Sequence, residues 1–223
     1  MITQPSHAAL AGEIAAALQN PQIPRLDAGL VRAIALHDAG WGIPDAQTIM
    51  RSRSPRQHAP HSFLDSEIEE FLEAWTQSIQ VAQSAGATGG YIVSRHFQRL
   101  AEHRAGAAVD GDRNRKKLEA FIAREMQRQE RLSAKQTRNS LELESLTDVL
   151  ELCDLLSLYV CCGARENVEF PECCGSKLRL SCEADGYRID PLLMASGTTF
   201  SVAALRYPET RDVSSTAIEI RIS

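Results

Sequence analysis

The sequence predicts a mainly α-helical protein, a helical bundle that carries a small C-terminal antiparallel β-sheet. Apolar residues recur three and four positions apart through most of the first 162 residues, the period of helices with one buried face. The last 50 residues alternate instead and are rich in β-branched side chains. Turn signals rich in glycine and proline separate the segments. The chain thus divides into a helical domain over 1–163 and a β-rich appendage over 164–223, packed on the bundle.

Residues 3–18 place His7, Leu10, Ala11, Ile14 and Leu18 on one face, and PQIP at 21–24 ends that helix. Asp27 is suited to cap a second helix, with Leu30, Ile34 and His37 in one stripe and Val31, Ala35 and Asp38 beside it. Gly40 and Gly42 should end it. Residues 42–65 read as a polar, proline-containing loop, with Arg51, Arg53 and Arg56 as a solvated basic run. Ser66 and Glu69 have the spacing of a capping box. The helix behind them buries Ile68, Phe71, Leu72, Trp75 and Ile79. GATGG at 86–90 reads as a turn before a helix carrying Tyr91, Ile92, Val93, His96 and Leu100. After a polar connection at 105–117, a charged helix should turn Leu118, Phe121, Ile122 and Met126 inward. Leu141 to Cys162 is the most apolar helix and belongs at the centre of the bundle. Strands are expected at 177–183, 198–207 and 216–223, divided by Asp185-Gly186 and Ser196-Gly197.

Composition narrows the classes of function. The 223 residues suffice for a sizeable core, and the net charge of −5 argues against a nucleic-acid polymer as partner. It leaves room for a small phosphorylated molecule held by a few local cations. The longest apolar stretch is too short to span a bilayer, and the first ten residues lack a secretory leader pattern, so a cytoplasmic protein is expected. Six cysteines, two pairs of them adjacent, read as reduced thiols rather than a zinc site or a disulfide framework.

The chemistry should lie where ionisable residues interrupt apolar faces. His7, the adjacent His37 and Asp38, His96 and Asp154 do so. A buried ionisable group is costly unless it is paired, hydrogen-bonded or coordinated, and Asp154 lies within an apolar run, Leu152-Cys-Asp-Leu-Leu. Histidine nitrogen with carboxylate oxygen suits a divalent transition metal, iron, manganese, zinc or nickel, held between helices. His37 and Asp38 would diverge by about 100° within a helix and share one ion only near a helix end.

The order His7, His37-Asp38, Asp154, each on its own helix, with "HDAGW" as the turn, resembles the HD-domain superfamily of metal-dependent phosphohydrolases. QPSHAAL, LHDAGW and DLLSLYVC are also similar to an HD-like bacterial family. The resemblance implies an HD-like helical bundle in which His7, His37, Asp38 and Asp154 ligate a first ion. Asp38 would bridge to a second ion, if one binds, completed by His96 and by His61 or His58. The cation would activate water and polarise a phosphoryl oxygen. Asp38 and His96 are thus the catalytic candidates. Trp41 stands where some members have a lysine or histidine, and it is either a core aromatic or, with Arg95, a substrate contact. A phosphohydrolase of phosphomonoesters or phosphodiesters is the leading expectation. An HD-type di-iron oxygenase and a non-catalytic metal-binding module are the alternatives, and a homodimer stays open.

Overall fold

The computed structural model describes residues 1–52, 62–107, 111–205 and 215–222. Among the described residues, seven α-helices fill the amino-terminal three-quarters: α1 (Gln4–Ala17), α2 (Ala28–Ala35), α3 (Gly42–Ser52), α4 (Ile68–Gln83), α5 (Ala87–Gly106), α6 (Asp112–Ser133) and α7 (Ser140–Cys161). The strands described after them are β1 (Val168–Glu169), β2 (Arg179–Glu183), β3 (Gly186–Asp190), β4 (Thr198–Leu205) and β5 (Ser215–Ile222). The protein is mainly α with a small C-terminal sheet, as the sequence predicts. Among the described residues, no helix is long and apolar enough to cross a membrane.

The helices start where local chemistry favours it. Thr3 caps α1 by accepting from the Ser6 amide, and Pro5 sits in the first turn, where its missing N–H costs nothing. Asp27 caps α2 through the Leu30 amide at 2.9 Å. Asn139 and Glu142 form a reciprocal capping box on α7. The core gathers around α7, which packs against α1 and α5 and buries Leu143, Leu146, Leu150, Cys153 and Leu156. Trp75 stacks on Phe97 with ring centroids 5.2 Å apart, so it belongs to the core.

Several expectations need correction. Residues 42–52 are helical, not loop: Pro44 and Asp45 both lie in the first turn of α3, where proline and an acidic residue favour a helix start. Residues 53–61 of the expected loop, which include Arg53, Arg56, His58 and His61, lie outside the described residues. α2 ends at Ala35, one turn before Gly40, and Gly42 opens the next helix. The Ser66–Glu69 capping box is absent, because a short 3-10 turn at Phe63–Asp65 makes Ser66 its C-cap and leaves Glu67 as the N-cap of α4. Most of GATGG is helical: Gly89 lies in α5, where a Cβ would stand 2.7 Å from that of Ala33, so the glycine serves helix contact rather than a turn. Met126 and Leu100 are both exposed to solvent.

The sheet order is β1-β2-β3-β5-β4. Its pairs are antiparallel except β3–β5, which is parallel at Tyr187 and Ile222. The sheet is therefore mixed rather than purely antiparallel, because β5 inserts between β3 and β4. The β2–β3 hairpin turns at Ala184-Asp185, one residue before the expected Asp-Gly pair, and Gly186, paired with Glu183, has φ 143°. β4 packs on α1, which ties the sheet to the bundle.

Candidate metal centre

Four segments deliver side chains to one buried point. His7 enters from the first turn of α1 and Asp154 from the middle of α7. His37 and Asp38 occupy the turn after α2, where His37 N–H bonds to Ile34 O and Ala39 N–H to Leu36 O. This departure from α geometry removes the divergence of neighbouring helical residues, and His37 Nε2 comes 3.7 Å from Asp38 Oδ2. All four side chains are buried, and His96 of α5 is buried beside them, its ring centroid 5.8 Å from that of His37.

The hydrogen bonds fix which nitrogens face inward. His37 Nδ1 lies 2.8 Å from the Ile34 carbonyl, which only accepts, so Nδ1 carries the hydrogen. Ser157 donates its hydroxyl to the Asp154 carbonyl at 2.8 Å, so its oxygen accepts from His7 Nδ1 at 3.0 Å. In the neutral rings both Nε2 atoms are then lone pairs, yet each confronts a carboxylate oxygen. His7 Nε2 is 2.8 Å from Asp38 Oδ2, and His37 Nε2 is 3.2 Å from Asp154 Oδ1. Two acceptors at such distances repel unless a proton or a cation lies between them.

The donor set fits a transition metal. One atom each of His7, His37 and Asp154 lies within 4.8 Å of the others, and Asp38 adjoins them. Ligands about 2.1 Å from a shared ion stand about 3.0 Å apart at a right angle and about 3.4 Å at the tetrahedral angle. The contacts of 2.8, 3.2 and 3.7 Å bracket that range. In the metal-free protein a proton takes the cation's part. Burial lowers the His37 pKa, but Asp38, Asp154 and the Ile34 carbonyl outweigh it and raise the ring to about 9. Burial likewise raises Asp154, but His37, His96 and His7 outweigh it and bring the carboxyl down to about 2.

Elsewhere a buried carboxylate has a different setting. Glu125 is wholly buried, but it faces donors: Ser94 at 3.0 Å, Arg128 at 2.7 Å and Arg124 at 3.2 Å. That arrangement is complete without an ion.

Two candidates fall outside the cluster. Trp41 is buried edge-on against Phe63 and Phe71, an aromatic core contact. Arg95 pairs with Glu144 at 3.0 Å rather than entering the site. His61 lies outside the described residues. Three participants went unread in the sequence. Glu151 and Ser157 sit three residues either side of Asp154, so helical spacing from that carboxylate is the signal that finds them. Asp45 of α3 accepts from the Gln4 amide at 2.7 Å and so fastens the start of α1 beside His7.

Gly40 sets the approach of the His37–Asp38 turn to α4. Its amide donates to Ser78 Oγ at 2.9 Å, and a Cβ would stand 2.0 Å from the Ala74 carbonyl oxygen and 2.9 Å from the Ser78 nitrogen. Because both obstacles are helix backbone, Gly40→Ala is expected to cost about 3 kcal/mol. Thermal denaturation should show this as a drop of several degrees, with weakened cation binding.

The sequence profile of a family described as "Protein of unknown function (DUF3891)" matches residues 1–202. The chain belongs to that family. No curated protein and no solved structure matches it. The DUF3891 match takes in His7, His37, Asp38, His96 and Asp154, and runs from α1 into β4.

Proposed function

We propose that this member of the DUF3891 family is a metal-dependent phosphohydrolase of the HD-domain kind, acting on a small phosphomonoester or phosphodiester. The observation that carries the reading is the pair of inward Nε2 lone pairs set against the carboxylate oxygens of Asp38 and Asp154. Iron, manganese, zinc and nickel all suit this nitrogen–oxygen set. When bound, such a cation would supply an activated water and polarise a phosphoryl oxygen. The chain's own part is orientation. Ser157 and the Ile34 carbonyl hold the two rings, and Asp38 and Asp154 set negative charge against the cation.

Elemental analysis of protein purified without chelator should find about one or two transition-metal ions per chain. Manganese should stimulate hydrolysis of an aryl phosphate or bis-aryl phosphate, and Asp38→Ala should lower that rate by at least about 100-fold. Protein free of transition metal and unresponsive to added manganese would sink the proposal. His96 beside His37 favours an HD-type di-iron oxygenase as the second reading. A mixed-valence iron signal from aerobic protein, without phosphatase activity, would select it.

A further inference from the structure

His7, His37 and His96 each turn Nε2 toward a carboxylate of the site, Asp38 for His7 and Asp154 for the other two, and His7 Nδ1 also stands 3.8 Å from Asp154 Oδ1. In two of the rings Nδ1 has an acceptor in place, Ser157 for His7 and the Ile34 carbonyl for His37. His96 differs. Its Nε2 is 3.6 Å from Asp154 Oδ2, while its Nδ1 is buried and has no hydrogen-bond partner among the described residues. The acceptor facing that Nδ1 is Glu151 Oε1, also at 3.6 Å. Glu151 lies one turn before Asp154 on the same face of α7, and its other oxygen is 2.8 Å from Arg99 Nη1. Arg99 is itself held by Asp148 at 2.8 Å and Glu144 at 2.7 Å.

We infer that Glu151, braced by Arg99, is the positioning residue of His96: it holds the hydrogen on Nδ1 and thereby turns the Nε2 lone pair toward the cation site. The inference rests on the reading of that site as a cation centre. It makes the ion-pair ladder between α5 and α7 part of the site, since the ladder ends on the carboxylate that sets the ring. Outer carboxylates on ligating histidines commonly change metal affinity by about 10- to 100-fold.

Two measurements test it on the full chain. In metal-free protein, ring ¹⁵N spectra, with His96 assigned through a His96→Asn variant, should show hydrogen on Nδ1. In Glu151→Ala that tautomer should be lost, and in Glu151→Gln, whose one carbonyl oxygen is taken by Arg99 so that its amide N–H faces Nδ1, it should be lost as well. By calorimetry, both variants should bind Mn²⁺ about 10- to 100-fold more weakly than wild type. If the alanine variant does not fold, the comparison of wild type, glutamine and Arg99→Gln decides, the last weakening Mn²⁺ binding through loss of the brace. A wild-type His96 without hydrogen on Nδ1, or one unchanged in Glu151→Ala, overturns the proposal. So does unchanged Mn²⁺ affinity in that variant. A wild type that binds no Mn²⁺ fails the cation reading of the site, and the ring spectra still decide whether Glu151 sets the tautomer.

Discussion

Asp154→Ala is expected to abolish cation binding, weakening it by more than about 100-fold, and to remove hydrolysis with it. Asp154 is the side chain that His7, His37 and His96 all approach, with its oxygens at 3.8, 3.2 and 3.6 Å from their nitrogens. Its loss leaves the His37 ring buried without its nearest carboxylate. The metal-free protein should therefore also lose about 3 kcal/mol of stability, the scale of a broken buried ion pair. Asp154→Asn keeps the volume and separates the two effects, since the amide is a poor ligand for a transition metal yet still fills the space. Metal titration by calorimetry beside a thermal melt checks both. A folded Asp154→Asn protein that binds manganese as tightly as wild type would remove the site from this place in the fold.

Chelator-treated protein should lose stability as pH rises from about 6.5 to about 9, by about 3 kcal/mol in all. The folded pKa of His37 lies above that of the unfolded chain, so its contribution is complete below the unfolded value and vanishes as the ring loses its proton. Asp154 shows the same contact from its other end. Its folded pKa lies below the unfolded value, so its contribution is present above about 3.8 and is lost as pH falls toward 2. The two describe one interaction and are not added. A cation must displace the His37 proton, so its affinity should rise with pH over the same interval, by up to about tenfold per unit. Urea denaturation of the metal-free protein at pH 6, 7.5 and 9, beside Mn²⁺ titrations at the same values, should show opposite slopes. Flat profiles would mean that His37 and Asp154 do not share a proton.

Much of this was legible in the residues, for reasons that also explain the rest. Asp154 stands out because an apolar helix offers it no local partner, and the His37–Asp38 pair because glycines follow it closely. Glu151 and Ser157 did not stand out, because polar residues on a helix ordinarily face water; only their register with Asp154 marks them. α3 was hidden by Pro44, which reads as a breaker unless it is recognised as a first-turn residue. The parallel β3–β5 pairing had no local signature, since the neighbour of a strand is chosen by the path of the chain rather than by its own alternation.

The contacts of α1 with the sheet bear on more than packing. Leu205 N–H bonds to Met1 O at 2.8 Å, Gln19 N–H to Leu193 O at 2.7 Å, and β4 lies along the helix between. The segment that presents His7 is thus splinted at one end by β4 and at the other by the connection between β3 and β4, neither of which gives a side chain to the cluster. Carboxy-terminal residues and the first imidazole form one mechanical unit, so the tolerances of the cage are set partly by a region chemically silent within it.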